Sequence, residues 1–389
     1  MSTTSTEAQH HPRHADDARP ADASPGRTTH APHTPWAHAL RTAVLAAVAV
    51  CLILLAFAWP SVTAKPQHLP VAVVGTTEQI QQLTAKAPDG MLDIHTVGSR
   101  DDAISQIRNR SVYGAVILPA AGAPEILVAS AASPVASTAL TQLGAGIQKQ
   151  IDQQAIAGLT DAVKKMQAAL AAHQPPVTDI QPTTTAPTAP AAVPTVVVTD
   201  VVPLSSDDPR GTGLAVAGLP LAMGGMVGGV LISLLVSGAW RRLAAVLGYG
   251  VLGGLGLAGI LQGWFHVLQG DYWANSLAVG LGLAATAAII AGLSSLIGQA
   301  GVAVGAVITM FIGNPLSALT QPKEFLPAPW GDVGQWFVPG ASGTLLRDLS
   351  YFPDASTAFP WLVLGGWAVL GVVLIATGHF RNQGAVAEV

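Results

Sequence analysis

The sequence has little charge. Only 10% of its 389 residues are charged, whereas a soluble domain usually has about 25%. The 18 lysines and arginines do not outnumber the 22 acidic residues, so no basic excess is present that would bind nucleic acid. Half of the residues are hydrophobic, and the mean hydropathy of +0.47 indicates a membrane protein in contact with lipids.

The sequence also lacks the residue patterns that carry recognisable chemistry. Its one cysteine, Cys51, lies inside an apolar run, which excludes a disulfide within the chain and a cysteine-based metal site. It contains no GxxxxGK[ST] phosphate loop, no HExxH pair and no GxSxG turn. We therefore expect no catalytic residue, no cofactor, no metal and no ATPase of its own, so the chain is predicted not to be an enzyme.

Long apolar runs dominate what is present. A helix needs about 20 mostly apolar residues to cross the hydrocarbon layer. The first run, TAVLAAVAVCLILLAFAW, begins at Thr42, and the next begins only near Gly211. We predict a membrane all-α bundle of six transmembrane helices, one and then five, with an inserted extracytoplasmic α/β domain. The predicted spans are 42–64 and about 214–238, 243–267, 276–297, 302–319 and 359–377.

The first run has a second interpretation, as a cleaved signal peptide. The ending Val62-Thr63-Ala64 is acceptable as a cleavage site. However, 41 residues precede the run, and the run is longer than a usual signal core. We predict an uncleaved anchor.

Positive charges near the span ends predict the orientation, because cytoplasmic loops carry the excess of Lys and Arg. Arg41 precedes the first span, Arg241 and Arg242 lie between the second and third, and Arg381 follows the sixth. All four fall on one side if there are six spans. We therefore predict a multi-pass plasma-membrane protein with both termini in the cytoplasm.

The predicted layout follows from these spans. Residues 1–41 form a disordered cytoplasmic tail, and residues 65–210 form the extracytoplasmic domain, which ends in a long helix and a Pro/Thr linker at 174–194. The five-helix domain covers 211–380 with an outer segment at 320–357. Residues 381–389 form a second cytoplasmic tail.

Residues 65–202 carry the alternation of strands and helices that is typical of an α/β unit. Strands are predicted at 69–74, 92–97, 113–118, 125–129 and 195–202, and helices at 76–87, 99–109 and 133–172. Helices between strands predict parallel pairing. Thr76 with Gln79, and Ser99 with Asp102, have the spacing of helix caps. The unit is small, so we expect it to need a neighbour or a second copy to complete its core.

A few residues in the membrane domain are candidates for a role. Asn314-Pro315 is the polar pair at depth in the fifth span, and it marks either a kink or a conduit. Gly224 with Gly228 and Gly250 with Gly254 have GxxxG spacing, which is typical of close helix packing within a bundle or between two copies. Arg347 and Asp348 share the polar face of a short helix predicted to lie at the membrane interface.

The order of parts resembles the permeases of type 2 ABC exporters and, within them, the YhgE/Pip-like membrane proteins. Those families have one helix, a large outer domain and then five helices. The resemblance is carried by LPVAVVG at residues 69–75, by DDAISQIRNRSVYGAVILP at 101–119, and by residues 338–352, which look like a segment of many actinobacterial members.

The resemblance implies a homodimer that docks two separate ATPase subunits and exports lipids, polysaccharides or drugs. In such permeases a coupling helix lies in the loop between the second and third helices. Here that loop is only about Trp240 to Leu243, which departs from the family pattern and puts direct ATPase docking in doubt.

Three functions follow as hypotheses. The first is a permease that exports, or assists the export of, an amphiphilic or envelope-related substrate. The second is an envelope scaffold or receptor that binds a partner through its outer domain without transport. The third is a proton-coupled efflux carrier, which the sequence disfavours because spans two to six have no Asp, Glu, Lys or Arg well inside them.

Overall fold

The computed structural model describes residues 36–120, 122–171 and 193–387. The predicted tail over 1–35 and nearly all of the predicted linker at 174–194 lie outside these residues. The chain divides into two compact units, Met1–Cys51 and Leu52–Val389. Helix α1, Trp36–Thr63, begins in the first unit and is six residues longer at its start than the predicted span.

Most of the described chain is helical. After α1 come α2 (Thr77–Lys86), α3 (Arg100–Arg108), α4 (Pro134–Ala171), α5 (Thr212–Leu235), α6 (Ala239–Ala258), α7 (Tyr272–Ile297), α8 (Gln299–Ala306), α9 (Trp330–Gly334), α10 (Val338–Tyr351) and α11 (Ala358–Ala387). π-Helical turns continue α6 over Gly259–Trp264 and α8 over Val307–Gly313, and short 3-10 turns cover Pro315–Ser317 and Lys323–Phe325.

Six of these helical stretches are long and apolar enough to cross a membrane, as an integral membrane protein requires. They are Leu40–Pro60, Thr212–Leu235, Ala239–Trp264, Tyr272–Ile297, Gln299–Ser317 and Ala358–Phe380. Helix α11 continues to Ala387, into the predicted tail, because helical hydrogen bonding does not stop where the apolar side chains stop.

The fifth span differs from the prediction of one regular helix over 302–319. Helix α8 begins at Gln299, widens into π turns and gives way to a 3-10 turn at Pro315, after which Ala318 has a left-handed φ of 52°. Proline removes a backbone donor and fits the start of a new turn. Asn314-Pro315 therefore lies at the junction of the π turns and the 3-10 turn, close to the end of the span at Ser317 and not at depth.

Within the described residues, five strands form one sheet in the order β2-β1-β3-β4-β5. The strands are β1 (Leu69–Val74), β2 (Leu92–Thr96), β3 (Gly114–Ile117), β4 (Glu125–Val128) and β5 (Val197–Asp200). Strand β1 runs parallel to β2 and β3, as predicted, and β5 runs parallel to β4. Strand β4 is antiparallel to β3, because only a short connection without a helix separates them.

Side-chain caps at their first residues define where the short helices α2 and α3 begin. The Thr76 hydroxyl accepts a hydrogen bond from the Gln79 N–H, and the Gln79 side chain accepts one from the Thr76 N–H, which completes a capping box. Ser99 caps α3 through the Asp102 N–H. The predicted positions of both helices are confirmed to within two residues at each end.

Each face of the sheet is buried, and residues far along the chain complete both cores. On one face Ile107 of α3 packs with Ala72, Leu127 and Phe352. On the other face Leu140 of α4 packs with Val71, Val73, Ile126 and Phe325. Phe325 and Phe352 are 3% and 1% exposed, and both come from the segment predicted as 320–357. The neighbour that the small unit needs is part of its own chain.

Helix α7 lies at the centre of the helical part. It packs against α5, α6, α8, α10 and α11 and is buried along most of its length. A Cβ at Gly254 would lie 2.8 Å from the Gly280 Cα of α7, and one at Gly250 would lie 2.9 Å from the Ala284 Cβ. Gly224 and Gly228 face Tyr249 of α6, whose hydroxyl donates to the Gly224 carbonyl at 2.6 Å. These glycines thus pack against helices of the same chain.

Candidate functional site

The five-stranded sheet and helices α2 to α4, residues 65–202, are called the sheet unit below. A polar cleft of about 410 Å³ lies between one end of the sheet unit and the segment around α10. The sheet unit contributes the turn between α3 and β3, and the other wall comes from residues 318–360. Six ionisable side chains of Lys, Arg, Asp and Glu line the cleft: Arg110, Lys323, Glu324, Asp332, Arg347 and Asp348. Three are cationic and three are acidic, so their pairing decides what the cleft binds.

Arg110 and Asp348 form an ion pair across the cleft. The guanidinium donates to the Asp348 carboxylate, and the two side chains are 17% and 5% exposed. Arg110 has a left-handed φ of 61° at the turn into β3, and its guanidinium lies 5.4 Å from the centre of the Phe352 ring. Burial raises the pKa of Asp348, while Arg110 lowers it in opposition. The contact joins residues 238 positions apart.

Arg347 lies next to this pair and has no carboxylate of its own. Among the described residues its guanidinium makes one hydrogen bond, to the Leu319 carbonyl at 3.0 Å. Burial, and then the charge of Arg110, lower the pKa of Arg347 to about 10. We predicted that Arg347 and Asp348 share the polar face of a short interfacial helix. Asp348 is 4% exposed, because the sheet unit covers this face of α10.

Tyr113 and Glu324 make a second contact across the cleft. The Tyr113 hydroxyl donates to the Glu324 carboxylate at 3.0 Å. Burial raises the pKa of Tyr113, and burial also raises the pKa of Glu324 against the opposing effect of Lys323. Nearby, the Gln67 amide donates to the carbonyls of Glu324 and Leu326. The residues before β1 and the loop at 324–326 are therefore held together.

The remaining cation of the cleft is paired within its own segment. The Lys323 ammonium lies 2.7 Å from the Asp332 carboxylate, and both side chains are largely exposed. The Thr344 hydroxyl donates to the side-chain amide oxygen of Gln335, and the Gln335 side-chain amide N–H donates to the Ser317 carbonyl. These contacts shape one wall of the cleft and leave Arg347 as the cation of the cleft that has no ion pair among the described residues.

A second feature is a groove of about 490 Å³ along α5 and α6. Its walls are almost entirely apolar and include Ala217, Leu257 and the π-helical Ile260, while Asp207 and Asp208 lie at one end. Asp208 is 7% exposed and accepts from the Thr212 and Gly213 N–H groups at 3.0 and 2.8 Å. It is the carboxylate that caps the start of α5. An apolar groove with a carboxylate at one end suits an amphiphilic molecule.

The predicted conduit residues lie elsewhere. Asn314 and Pro315 line neither the cleft nor the groove, nor the cavity of about 40 Å³ between α5, α7 and α10. The Asn314 side-chain oxygen is buried and has no hydrogen-bond partner among the described residues. In the part of the chain that the structure covers, no three His, Cys, Asp or Glu side chains are grouped closely enough to hold a metal ion.

Comparison with protein-family models, with curated proteins and with solved structures found no match to this chain. Its function is therefore inferred from its own residues.

Proposed function

We propose that this chain is a permease-like integral membrane protein that exports, or assists the export of, an amphiphilic or envelope-related substrate. In this proposal the six apolar helices cross the plasma membrane as one and then five. Both termini are cytoplasmic, and residues 65–210 face outward. The protein acts as a homodimer among membrane lipids, and a separate ATPase supplies energy, as the resemblance to type 2 ABC exporter and YhgE/Pip-like permeases implies.

The groove between α5 and α6 is the observation that carries this proposal. Its apolar length matches an acyl or aromatic portion, and its Asp207 and Asp208 end matches a cationic or hydrogen-bond-donating group. The groove lies between two helices that are able to cross a membrane, so an amphiphile would enter it sideways from lipid. One wall is a π-helical turn, a distortion that often occurs at functional sites.

The loop between α5 and α6 is too short to hold the coupling helix by which an ATPase docks on such permeases. Helix α5 ends at Leu235 and α6 begins at Ala239, so the loop at 236–238 holds no coupling helix. Arg242 bonds the carbonyls of Ser233 and Val236 and the Ser295 hydroxyl, so it holds this turn rigidly against α7. An ATPase partner would dock on another cytoplasmic surface.

Transport is tested with inverted vesicles from the native cells, which keep any ATPase partner. ATP-dependent accumulation of a fluorescent cationic amphiphile is compared with vesicles from cells that lack the chain. The I260W variant, which fills the groove, should reduce accumulation by about tenfold. The L252W variant is the matched control, because Leu252 is 73% exposed on the same helix and does not line the groove. Equal accumulation with and without the chain would refute the proposal.

The alternative, an envelope scaffold or receptor, is favoured by helix α4. Its C-terminal half exposes Ile156, Leu159, Val163 and Met166, which are 52–64% exposed and spaced three and four residues apart. Such a face suits a protein partner. If the chain is a scaffold, L159E/V163E should fail to restore the phenotype of cells that lack the chain, and I260W should restore it. A permease should give the reverse result.

A further inference from the structure

The cleft beside α10 holds an imbalance of charge at one point. Asp332 is paired with Lys323, Asp348 with Arg110, and Glu324 accepts from Tyr113. The carboxylate next to Arg347 in the chain, Asp348, is thus already paired with a second guanidinium, that of Arg110. The three cations and three carboxylates of the cleft are equal in number, but Arg347 makes no ion pair with any of these carboxylates, so its positive charge has no local partner among the described residues.

The hydrogen-bonding of Arg347 shows the same imbalance. A guanidinium has five N–H donors, and the described residues accept from Arg347 once, through the Leu319 carbonyl. The side chain is partly buried and lines the cleft. Removing a charged group from water costs free energy unless partners satisfy it. An anion in the cleft would supply both the charge and the acceptors.

We propose that the cleft lined by Arg347 binds an anionic phosphate-type group, which links the sheet unit to the segment around α10. The planar fork of arginine matches the oxygens of a phosphate in a bidentate geometry that lysine cannot form. The site is separate from the groove along α5, and it goes beyond the proposed transport function. A lipid headgroup and free phosphate share this chemistry, and the cleft volume of about 410 Å³ admits either.

The surroundings of the cleft favour access by a headgroup. Trp336 and Phe359 line it, and their rings pack edge to face at 5.1 Å. Trp336 is 63% exposed, and Phe359 lies at the start of an apolar helix able to cross a membrane. Aromatic side chains at span ends lie at the level of lipid headgroups. The phosphate of a lipid would therefore reach Arg347 without leaving the membrane surface.

The test uses the full-length chain in a phosphate-free maltoside detergent. Calorimetry measures the binding of two probes, inorganic phosphate and dihexanoyl phosphatidylglycerol. We expect saturable binding of at least one, weakened about tenfold in R347Q, because the glutamine lacks the positive charge and the paired N–H donors of the guanidinium. Binding of the lipid alone identifies a headgroup site, and equal binding of both identifies a phosphate site.

Two further variants separate binding from folding. S356W should also weaken binding, because Ser356 is exposed and lines the cleft, so the indole fills the cleft without disturbing the core. R100Q should bind as the native chain does, because Arg100 pairs with Glu125 outside the cleft. Failure of both probes to bind, or undiminished binding by R347Q and S356W, would overturn this inference. The groove test with I260W would be unaffected by that result.

Discussion

Arg241 and Arg242 are adjacent in the sequence but have different surroundings. Arg241 is exposed, whereas Arg242 donates to two carbonyls at the end of α5 and to Ser295 of α7. The last carbonyls of a helix lack partners within that helix, and an arginine satisfies them well. The sequence predicted both residues as markers of orientation and gave no sign of this bonding, because the acceptors are backbone atoms.

The candidate site was predictable only in part at the level of residues. Arg347 and Asp348 were singled out as charges on one face of a short helix, but Arg110, Tyr113 and Glu324 were missed. Their partners lie 238 and 211 positions away in the chain. No periodic pattern in the sequence encodes such a contact. The pattern that the sequence did show was a pair of charged residues, Arg347 and Asp348, on a short helix near a span. This pattern identified one wall of the cleft.

Glu324 makes the stability of this contact depend on pH. Burial raises the pKa of its carboxyl, so the folded chain holds the proton more tightly than the unfolded chain does. Its contribution to stability is fully present below the ordinary glutamate pKa and is lost as the pH rises through the raised pKa. We expect E324Q to match the native chain at about pH 4 and to be more stable at about pH 8, as measured by thermal unfolding in nanodiscs.

Glu125 provides a control of opposite sign. Its hydrogen bond from Arg100 lowers the pKa of its carboxyl, so ionised Glu125 adds stability that is lost at low pH. E125Q should therefore be less stable than the native chain near neutral pH and equal to it in acid. A difference between E324Q and the native chain that stays constant across this range would contradict the account of Glu324.

At the scale of elements, local rules predicted the sheet unit well. The capped helices α2 and α3 and the strands β1 to β4 lie within one or two residues of their predicted positions. Their signals, alternation and side-chain caps, act over a few residues. The order of the strands and the antiparallel pairing of β3 with β4 required the structure.

The π-helical turns at 259–264 and 307–313 were not predicted. A π turn inserts a residue into a helix without changing its hydrophobic composition, so an apolar run looks the same with or without one. Both occur in spans that we predicted as regular helices. The first of them lines the groove, so the distortion that supports the proposed transport function could not be predicted from the sequence.

Helix packing offers a prediction at this scale. A side chain at Gly254 would clash with the Ser276 carbonyl and the Gly280 backbone of α7, whereas a Cβ at Gly256 on the same helix would meet no atom of another helix within 4 Å. We expect G254L to lower the unfolding free energy by about 3 kcal/mol and G256L to leave it nearly unchanged. Unfolding by SDS in mixed micelles measures both. Equal stabilities would show that the α6–α7 contact tolerates a side chain.

At the scale of the whole molecule, the sheet unit and the segment before the last apolar helix share a core. Phe325 and Phe352 fill the two faces of a sheet whose own residues end at Asp200. Composition predicted that the unit needed a neighbour, but not which one, because hydrophobic burial is not directional. If the spans cross as proposed, this shared core places 65–210 and 320–357 on the same side of the membrane.

The outward placement of residues 65–210 is the claim on which the transport proposal depends. It follows from an odd number of spans between residue 210 and each cytoplasmic end, one before it and five after it, and from Arg41, Arg241, Arg242 and Arg381 lying on one side. An even number of spans between residue 210 and either end would put that end on the same side as the sheet unit.

Cysteine labelling tests this claim directly. In a C51S background, K149C on α4 and R241C beside α6 each introduce one exposed thiol. We expect a membrane-impermeant maleimide to label K149C in intact cells and to label R241C only after the membrane is opened. Shielding of K149C in intact cells, or labelling of R241C from outside, would contradict the account.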